Sequence, residues 1–467
     1  MQMDNQLPPK KVPSLFSFRY GLSFLLHFCN LAIWAQRTCL SLTMVVMVNS
    51  TGPSGLTNFS ENEPPAKEKN PVYDWSPEIQ GIILSSILYG AALTPVPIGY
   101  LSGIYSVKKM VGSTLFLSSL FSLFIPLAAD LGEATVIVCR VVQGIAQGVV
   151  LTAQHAIWVK WAPLLEQGRL TSISLSGCLL GPFIVLLVTG FICQSLGWPM
   201  VYYIFGACGC ALALIWFIVA YDDPKDHPCM SIREKEYIAS SVVQEFSSSG
   251  LSLPFKAMLK SRPLWVISLS HFAFFWTNTI LIVYIPTFIN SVFHVNVEEN
   301  GLLSALPYLF AWIFGILSGL MADFIQSRNI LSLLAIRKLF NTLGLLLPAF
   351  FSLCLLYLSS SFHIVIIFLI LTNATGSFSL NGMFLNPLDI APRYYSFLKG
   401  VTSLIGMIGG LIASTLTGII IDQDPESSWF KIFFLMSGMN VVGVIFYLIF
   451  AEAEIQDWAE DRRQTRL

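Results

Sequence analysis

The sequence predicts an all-α membrane protein of twelve transmembrane helices in two pseudo-symmetric six-helix halves. Three observations predict it. Of 467 residues, 55% are hydrophobic and only 11% charged, against roughly 25% charged in soluble domains. Twelve apolar runs follow one another, each near the roughly 20 residues that cross a bilayer. One long polar stretch, 222–262, divides them six and six. Mean hydropathy is +0.69. A net charge of −1 leaves no global basic field for nucleic acid.

The elements read in order as follows. Residues 1–19 form a polar, Pro- and Lys-containing tail. The first run, 20–48, is too long for a signal-peptide core and reads as a retained span that also directs insertion. The remaining spans of the first half are 79–105, 109–129, 134–159, 170–194 and 199–221. Those of the second half, 263–451, are 263–290, 301–325, 337–358, 363–385, 398–421 and 429–451, followed by a tail, 452–467. With both ends in the cytoplasm and sides alternating, and with cations at span edges counted with the adjoining loops, only Lys67, Lys69 and Lys431 fall outside and only Arg37 and Arg140 lie deep within spans. That asymmetry matches the positive-inside rule. The outer loop, 49–78, carries two N-x-S/T sequons, at Asn49 and Asn58, and is expected to be glycosylated. In the linker 222–262, Ser231 and Glu234 have capping-box spacing, so a short surface helix follows.

Residues 135–161, TVIVCRVVQGIAQGVVLTAQHAIWVKW, organise the functional reading. Arg140 lies inside this span, and Arg37 inside the first. From the predicted outer ends they lie roughly 9 Å and 16 Å deep, at 1.5 Å per residue. A charge at bilayer depth costs at least about 2.5–3.5 kcal/mol and faces a protein-lined cavity. No Asp or Glu falls mid-span, which weakens a proton relay and leaves two cations for an anion to bridge. Snorkelling to headgroups, or donation to backbone carbonyls or a glutamine, is the competing reading. Gln143, Gln147 and Gln154 continue the face of Arg140 at i+3, i+7 and i+14, with interhelical hydrogen bonding as the alternative. Tyr89 on the second span is a further substrate-binding candidate. His155 on the same span as Arg140 and Phe274 of the cluster Phe272, Phe274, Phe275 and Trp276 are candidates to line the pathway, with lipid-facing packing as the default reading of the cluster.

The two halves echo each other. Gly99-Tyr-Leu-Ser-Gly103, leading to Lys108-Lys109, follows the second span, and Gly319-Leu-Met-Ala-Asp323, leading to Arg328, follows the eighth. Trp161-Ala-Pro163 follows the fourth span and Ile390-Ala-Pro392 the tenth. Repeats of this kind are the plan of carriers with a midplane site between the halves.

These glycine–acid–basic loops resemble the major facilitator superfamily. Arg140-Val-Val-Gln-Gly144, Trp158-Val-Lys-Trp161-Ala-Pro163, Tyr73-Asp-Trp75-Ser-Pro77 and Leu388-Asp-Ile-Ala-Pro-Arg-Tyr394 narrow the resemblance. They are similar to its anion:cation symporters, which include sialin, the vesicular glutamate transporters and, most of all, the sodium/phosphate cotransporters. The resemblance implies transport of phosphate with sodium, and of urate and other organic anions with sensitivity to voltage and chloride. Sodium is then a coupling ion and chloride an activator, with no other cofactor. It also implies that Arg37 and Arg140 act on substrate. Gly99, Gly103, Gly319, Asp323 and Arg328 would form a gate, weakened where Gly103 replaces an acid. Three positions depart from the glutamate carriers: their second-span histidine is Leu84, their fourth-span glutamate Gln147 and their seventh-span arginine Phe274. Those losses argue against glutamate and proton coupling and for a wider, more apolar site.

The nine cysteines lack CxxC and zinc spacing and read as packing residues. No catalytic triad, metal or nucleotide motif stands out, so an enzyme is not expected. An uncoupled anion conductance and a non-transporting receptor or scaffold remain as alternatives. The ending Thr465-Arg-Leu467 suits a PDZ-type groove. The expected location is the plasma membrane, apical in epithelia.

Overall fold

The computed structural model describes residues 17–48, 72–102, 105–163, 167–241, 255–357, 362–391 and 394–459. Asn49, Asn58, Gly103 and Thr465–Leu467 lie outside them, as do the side chains of His155 and Asp323. Every element among the described residues is helical. Twelve helices form the bundle: α1 Phe18–Met47, α2 Pro77–Ala92, α3 Val107–Leu131, α4 Glu133–Trp161, α5 Gln167–Ser195, α6 Trp198–Val219, α7 Arg262–Phe293, α8 Val297–Ser327, α9 Leu333–Tyr357, α10 Phe362–Gly376, α11 Tyr395–Gln423 and α12 Ser428–Phe450.

Local chemistry sets the ends. Ser76 accepts from the Ile79 N–H, with Pro77 at the first helical position, where its missing donor costs nothing. Asn296 accepts from the Glu299 N–H at 2.8 Å, and Ser106 and Ser332 cap α3 and α9 in the same way. Helix α2 breaks at Leu93–Thr94 and resumes as Pro95–Leu101, because Pro95 and Pro97 have no N–H for a continuous ladder. Helix α10 stops nine residues before the predicted end of its span at residue 385 and continues as a 3-10 turn, Ser377–Asn381, and a short helix, Asn386–Ile390. That unwound stretch is held from both sides. Ser377 Oγ donates to the Ala311 carbonyl and Asn381 Nδ2 to Ser318 Oγ, each at 2.8 Å. A Cβ on Gly344 would sit 2.1 Å from Ser379 Oγ, so only glycine lets α9 lie this close.

Among the described residues, eleven helices are long and apolar enough to cross a membrane, and α1 is not among them. Its 30 residues suffice in length, but Arg19, His27, Asn30, Gln36 and Arg37 dilute its apolar content. Large apolar side chains such as Phe28, Val138, Phe191, Ile218, Leu320 and Phe434 are exposed on the bundle surface, as a lipid-facing surface requires.

The first six helices pack as one half and the last six as the other, joined along α2–α11, α5–α8 and α1–α7. At the end away from the linker, residues of both halves share one apolar cluster: Met47 and Trp75 with Val283, Tyr284, Val297, Ile421 and Trp429. A Cβ on Gly81 would lie 2.9 Å from Gly418 Cα, and one on Gly301 2.9 Å from Gly190 Cα. Backbones therefore touch across both seams. At the linker end the apolar clusters stay separate, one drawn from residues 18–238 and the other from residues 258–459. The halves are thus sealed by shared apolar packing at the far end; toward the linker the cleft between them keeps separate apolar walls, which touch where the Pro95–Leu101 helix meets α11.

The linker is more than a surface helix. Ser231 Oγ caps Ile232–Ser241 by accepting from Glu234 N at 3.2 Å, as the spacing predicts. The Glu234 carboxylate, though, does not turn back to Ser231. It is buried, 4% exposed, and accepts from Phe18 N, Arg19 N and Arg19 Nη1, each at 3.2 Å. Helix Ile232–Ser241 is thereby clamped to the start of α1.

Candidate functional site

Arg140, on α4, is 1% exposed. Its Nη1 donates to the Gln36 carbonyl at 2.9 Å and to Gln143 Oε1 at 3.0 Å, and its Nη2 to the Arg37 carbonyl at 3.1 Å. Its Nε has no partner among the described residues. No carboxylate is in ion-pair reach of it there. The guanidinium is thus oriented by neutral acceptors and keeps its full charge. That charge is neither snorkelled to an end nor neutralised.

Gln143 and Gln147 do not face the cleft, contrary to the reading from spacing. Both are fully buried. Gln143 Nε2 donates to the Ser118 carbonyl and Gln147 Nε2 to Ser118 Oγ, each at 3.2 Å. Ser118 Oγ donates to Gln36 Oε1 at 2.7 Å, and Gln36 Nε2 to Ser119 Oγ at 2.8 Å. Their shared helix face looks into the α1–α3–α4 junction, where Gln143 accepts from Arg140 while Gln147 bonds Ser118 and keeps an Oε1 with no partner among the described residues. Gln154 is likewise engaged by protein partners. It exchanges two amide bonds with Asn30, at 2.9 and 3.2 Å, while Asn30 Nδ2 also donates to the Ser174 carbonyl at 2.8 Å, knitting α1 to α4 and α5. Periodicity identified a polar face; it did not say which neighbour that face meets.

Arg37 is the accessible cation. It is half-buried, its Cζ lies 5.3 Å from the Trp34 ring centroid, and no carboxylate pairs with it among the described residues. The positive end of Arg140's network lies directly behind its backbone. An anion reaching Arg37 meets a fork of free donors backed by a second positive charge in low dielectric, where such attraction is strong.

Tyr89, 38% exposed on α2, has its Oη 3.3 Å from Thr415 Oγ1 of α11. Ser85 Oγ lies at the same distance from Thr415 Oγ1. Thr415 and Ser85, which sequence reading missed, bridge the halves, and nothing distinguishes them in a chain rich in span hydroxyls. Phe274 packs its ring on Phe275 and on Phe384 of the turn after α10. Its neighbours Phe275 and Phe272 press on Gly406 and Gly409 of α11, so the cluster faces protein rather than lipid.

Of the proposed gate residues, Gly99, Gly319 and Arg328 have described surroundings. A Cβ on Gly99 or Gly319 would meet nothing within 4 Å, so close helix packing does not require either glycine here. Lys108 N donates to Asp222 Oδ1 at 2.8 Å, and Ser106 Oγ donates to Asp222 Oδ2. Asp222, past the end of α6, anchors this loop within its own half, a role not visible in the motif. Arg328 is exposed, over the Phe324 ring.

A profile of the Major Facilitator Superfamily matches residues 26–414. The chain belongs to the major facilitator superfamily. It is 66% identical, over the whole length of both chains, to sodium-dependent phosphate transport protein 1 of Oryctolagus cuniculus and of Homo sapiens. It is 48% identical to the probable small intestine urate exporter of Homo sapiens, across 97% of this chain and 93% of that one. Among solved structures, the D-xylose–proton symporter aligns with TM-score 0.67 at 15% identity, covering 94% of this chain and 99% of that one. A bacterial homologue of the lysosomal transporter Spinster aligns with TM-score 0.65 at 16% identity, covering 94% and 96%. These two share the fold. Within the superfamily, twelve helices in two halves with a cleft between them are the machinery of a secondary transporter, and the chain is a multi-pass carrier, not an enzyme.

Proposed function

We propose that this carrier moves small anions by alternating access, phosphate with sodium and also urate and other organic anions, with chloride and membrane potential modulating the flux. The observation that carries the reading is Arg37: a half-buried guanidinium at depth, backed by Arg140, with no carboxylate partner among the described residues. A proton-coupled cation carrier needs the opposite arrangement, acids in the pathway. The names of relatives at 66% and 48% identity, a phosphate transporter and a urate exporter, support both substrate classes. One negative charge moving through the potential gains about 2.3 kcal/mol per 100 mV, enough to drive urate without sodium. We place it in the plasma membrane, apical in epithelia, with the linker and both ends cytoplasmic, Asn49 and Asn58 glycosylated outside, and Thr465–Leu467 docked on a PDZ scaffold. In this orientation the cleft faces the cytoplasm.

The test is uptake of phosphate, urate and glutamate into proteoliposomes, with sodium, chloride and voltage varied separately. Saturable phosphate and urate uptake with trans-stimulation, and little glutamate uptake, is expected. Flux that does not saturate, or none under any gradient, would overturn the reading.

A further inference from the structure

The second half holds a cation that sequence reading assigned to a loop end. Lys399 lies one turn inside α11 and is half-buried. Its Nζ is 3.3 Å from the Phe384 carbonyl and 4.3 Å from the Phe384 ring centroid. No other acceptor is within reach of Nζ among the described residues, which leaves two of its three donors without a partner there. It does not point to lipid. Gly406, two turns along the same helix face, lies against Phe275 of α7, so this stripe faces the interior of the half.

Among the described residues, what surrounds Lys399 is aromatic. The turn after α10 supplies Phe384. Helix α7 supplies Phe274, 5.2 Å from Phe384 between ring centroids, and His271, 4.6 Å from Phe384. His271 Nδ1 is 3.0 Å from the Ile267 carbonyl, and its Nε2 has no partner among the described residues. The nearest acid on the adjoining segment, Asp389, is already taken by Arg337 at 2.6 and 3.2 Å. A lysine kept for packing would have such a partner; among the described residues this one has none.

Depth separates Lys399 from Arg37. Arg37 is 10 residues from the far end of α1 and Lys399 is 24 residues from the far end of α11. At 1.5 Å per residue they stand about 20 Å apart along the bundle. We propose that Lys399 is a second anion station, near the linker-end mouth of the cleft, where its ammonium and the Phe384 and Phe274 rings hold a phosphate or a flat organic anion entering or leaving from that side. The inference rests on the anion-carrier reading. It also supplies the second half with the positive charge that Phe274 lacks.

The experiment uses the full-length carrier in proteoliposomes with phosphate and urate as probes. In the wild type, urate should shield Lys399 from an amine-acylating reagent, read by mass spectrometry of the Lys399 peptide. Lys399→Gln should raise the KM for urate presented at the linker side about tenfold or more, the loss of one charge-assisted contact, with a much smaller change from the far side. Lys399→Arg, which keeps the charge, should restore most of it and shows whether the site folds. Equal KM values for wild type and Lys399→Gln on both sides, or no shielding by urate, would overturn the station while leaving transport intact. A wild type that carries neither phosphate nor urate would overturn the carrier reading, and the station with it.

Discussion

Arg140 of α4 donates through Nη2 to the carbonyl oxygen of Arg37 in α1, at 3.1 Å. One arginine thus fixes the backbone from which the other projects. Two like charges are held close by a neutral acceptor, with no acid to relieve them among the described residues.

Arg140 therefore serves both charge and architecture. Arg140→Ala should abolish uptake of phosphate and urate while the protein still reaches the cell surface. It should also lower the melting temperature, because Gln143 Oε1 loses its donor deep in the bundle, at about 1–3 kcal/mol for a stranded buried group. Arg140→Lys, with no fork to reach Gln36, Arg37 and Gln143 together, should retain little uptake. Wild-type uptake in either variant would count against the site.

Arg37 predicts a different pattern. It makes no hydrogen bond from its side chain to the described residues, so Arg37→Ala should leave the melting temperature near that of the wild type. The half-saturation concentration for urate should rise about tenfold or more. A superimposable concentration curve would refute its role.

The two arginines also mark what was legible in the sequence. Twelve spans and their division could be read because a bilayer demands about 20 apolar residues each time, and boundaries agree to within a few residues for most. The break in α10 was invisible: it depends on Ser377 and Asn381 finding acceptors on α8. Gln143, Gln147 and Gln154 were assigned to the cleft from helical spacing alone, which cannot distinguish a cavity from a neighbouring helix. Lys399 was counted as a loop residue because it sits one residue inside the predicted span edge. Glu234 was recognised as a cap but not as the partner of Arg19, a pairing across 215 positions.

The seams at the far end invite a mechanical test. A Cβ on Gly418 would stand 2.9 Å from Gly81 Cα and 3.0 Å from the Pro77 carbonyl. Backbone cannot yield as a flexible side chain can, so Gly418→Val should wedge α2 from α11. Spin labels on cysteines replacing the exposed Glu78 and Glu298, in a background lacking the exposed Cys208 and Cys229, should report a longer and broader distance. An unchanged distance distribution would show that this contact does not hold the far end shut.

The docked linker carries a pH dependence. His227 is buried, 2% exposed, its ring tilted by 44° against that of Phe18 with 3.8 Å between centroids. Its Nδ1 accepts from Cys229 N, and its Nε2 donates to the Val219 carbonyl. Burial lowers its pKa, and nearby Lys235 and Lys108 push the same way against the Val219 bond and Glu234. A histidine kept neutral in the folded state supports the fold above its ordinary value of about 6.5, and that support fades as pH falls below it. Amide protection factors in Ile232–Ser241, which remove the fall of intrinsic base-catalysed exchange with pH, should drop between pH 7.5 and 5.5 in the wild type, and less so in His227→Gln. Protection factors unchanged by pH in the wild type would contradict this.

The polarity of α1 has a consequence for biogenesis. The helix that carries Arg37 and cradles Arg140 is the one long helix too polar to settle in lipid unaided, yet it leaves the ribosome first. Its partition into the bilayer must wait for α4 and α5 to offer Gln154, Arg140 and the Ser174 carbonyl as company. In nascent chains cut before those helices emerge, Cys39 of α1 should react with a water-soluble thiol reagent, and in longer chains, where it is buried, it should be shielded. The residues that equip the carrier to recognise its cargo thereby delay the moment at which its first helix settles into the membrane.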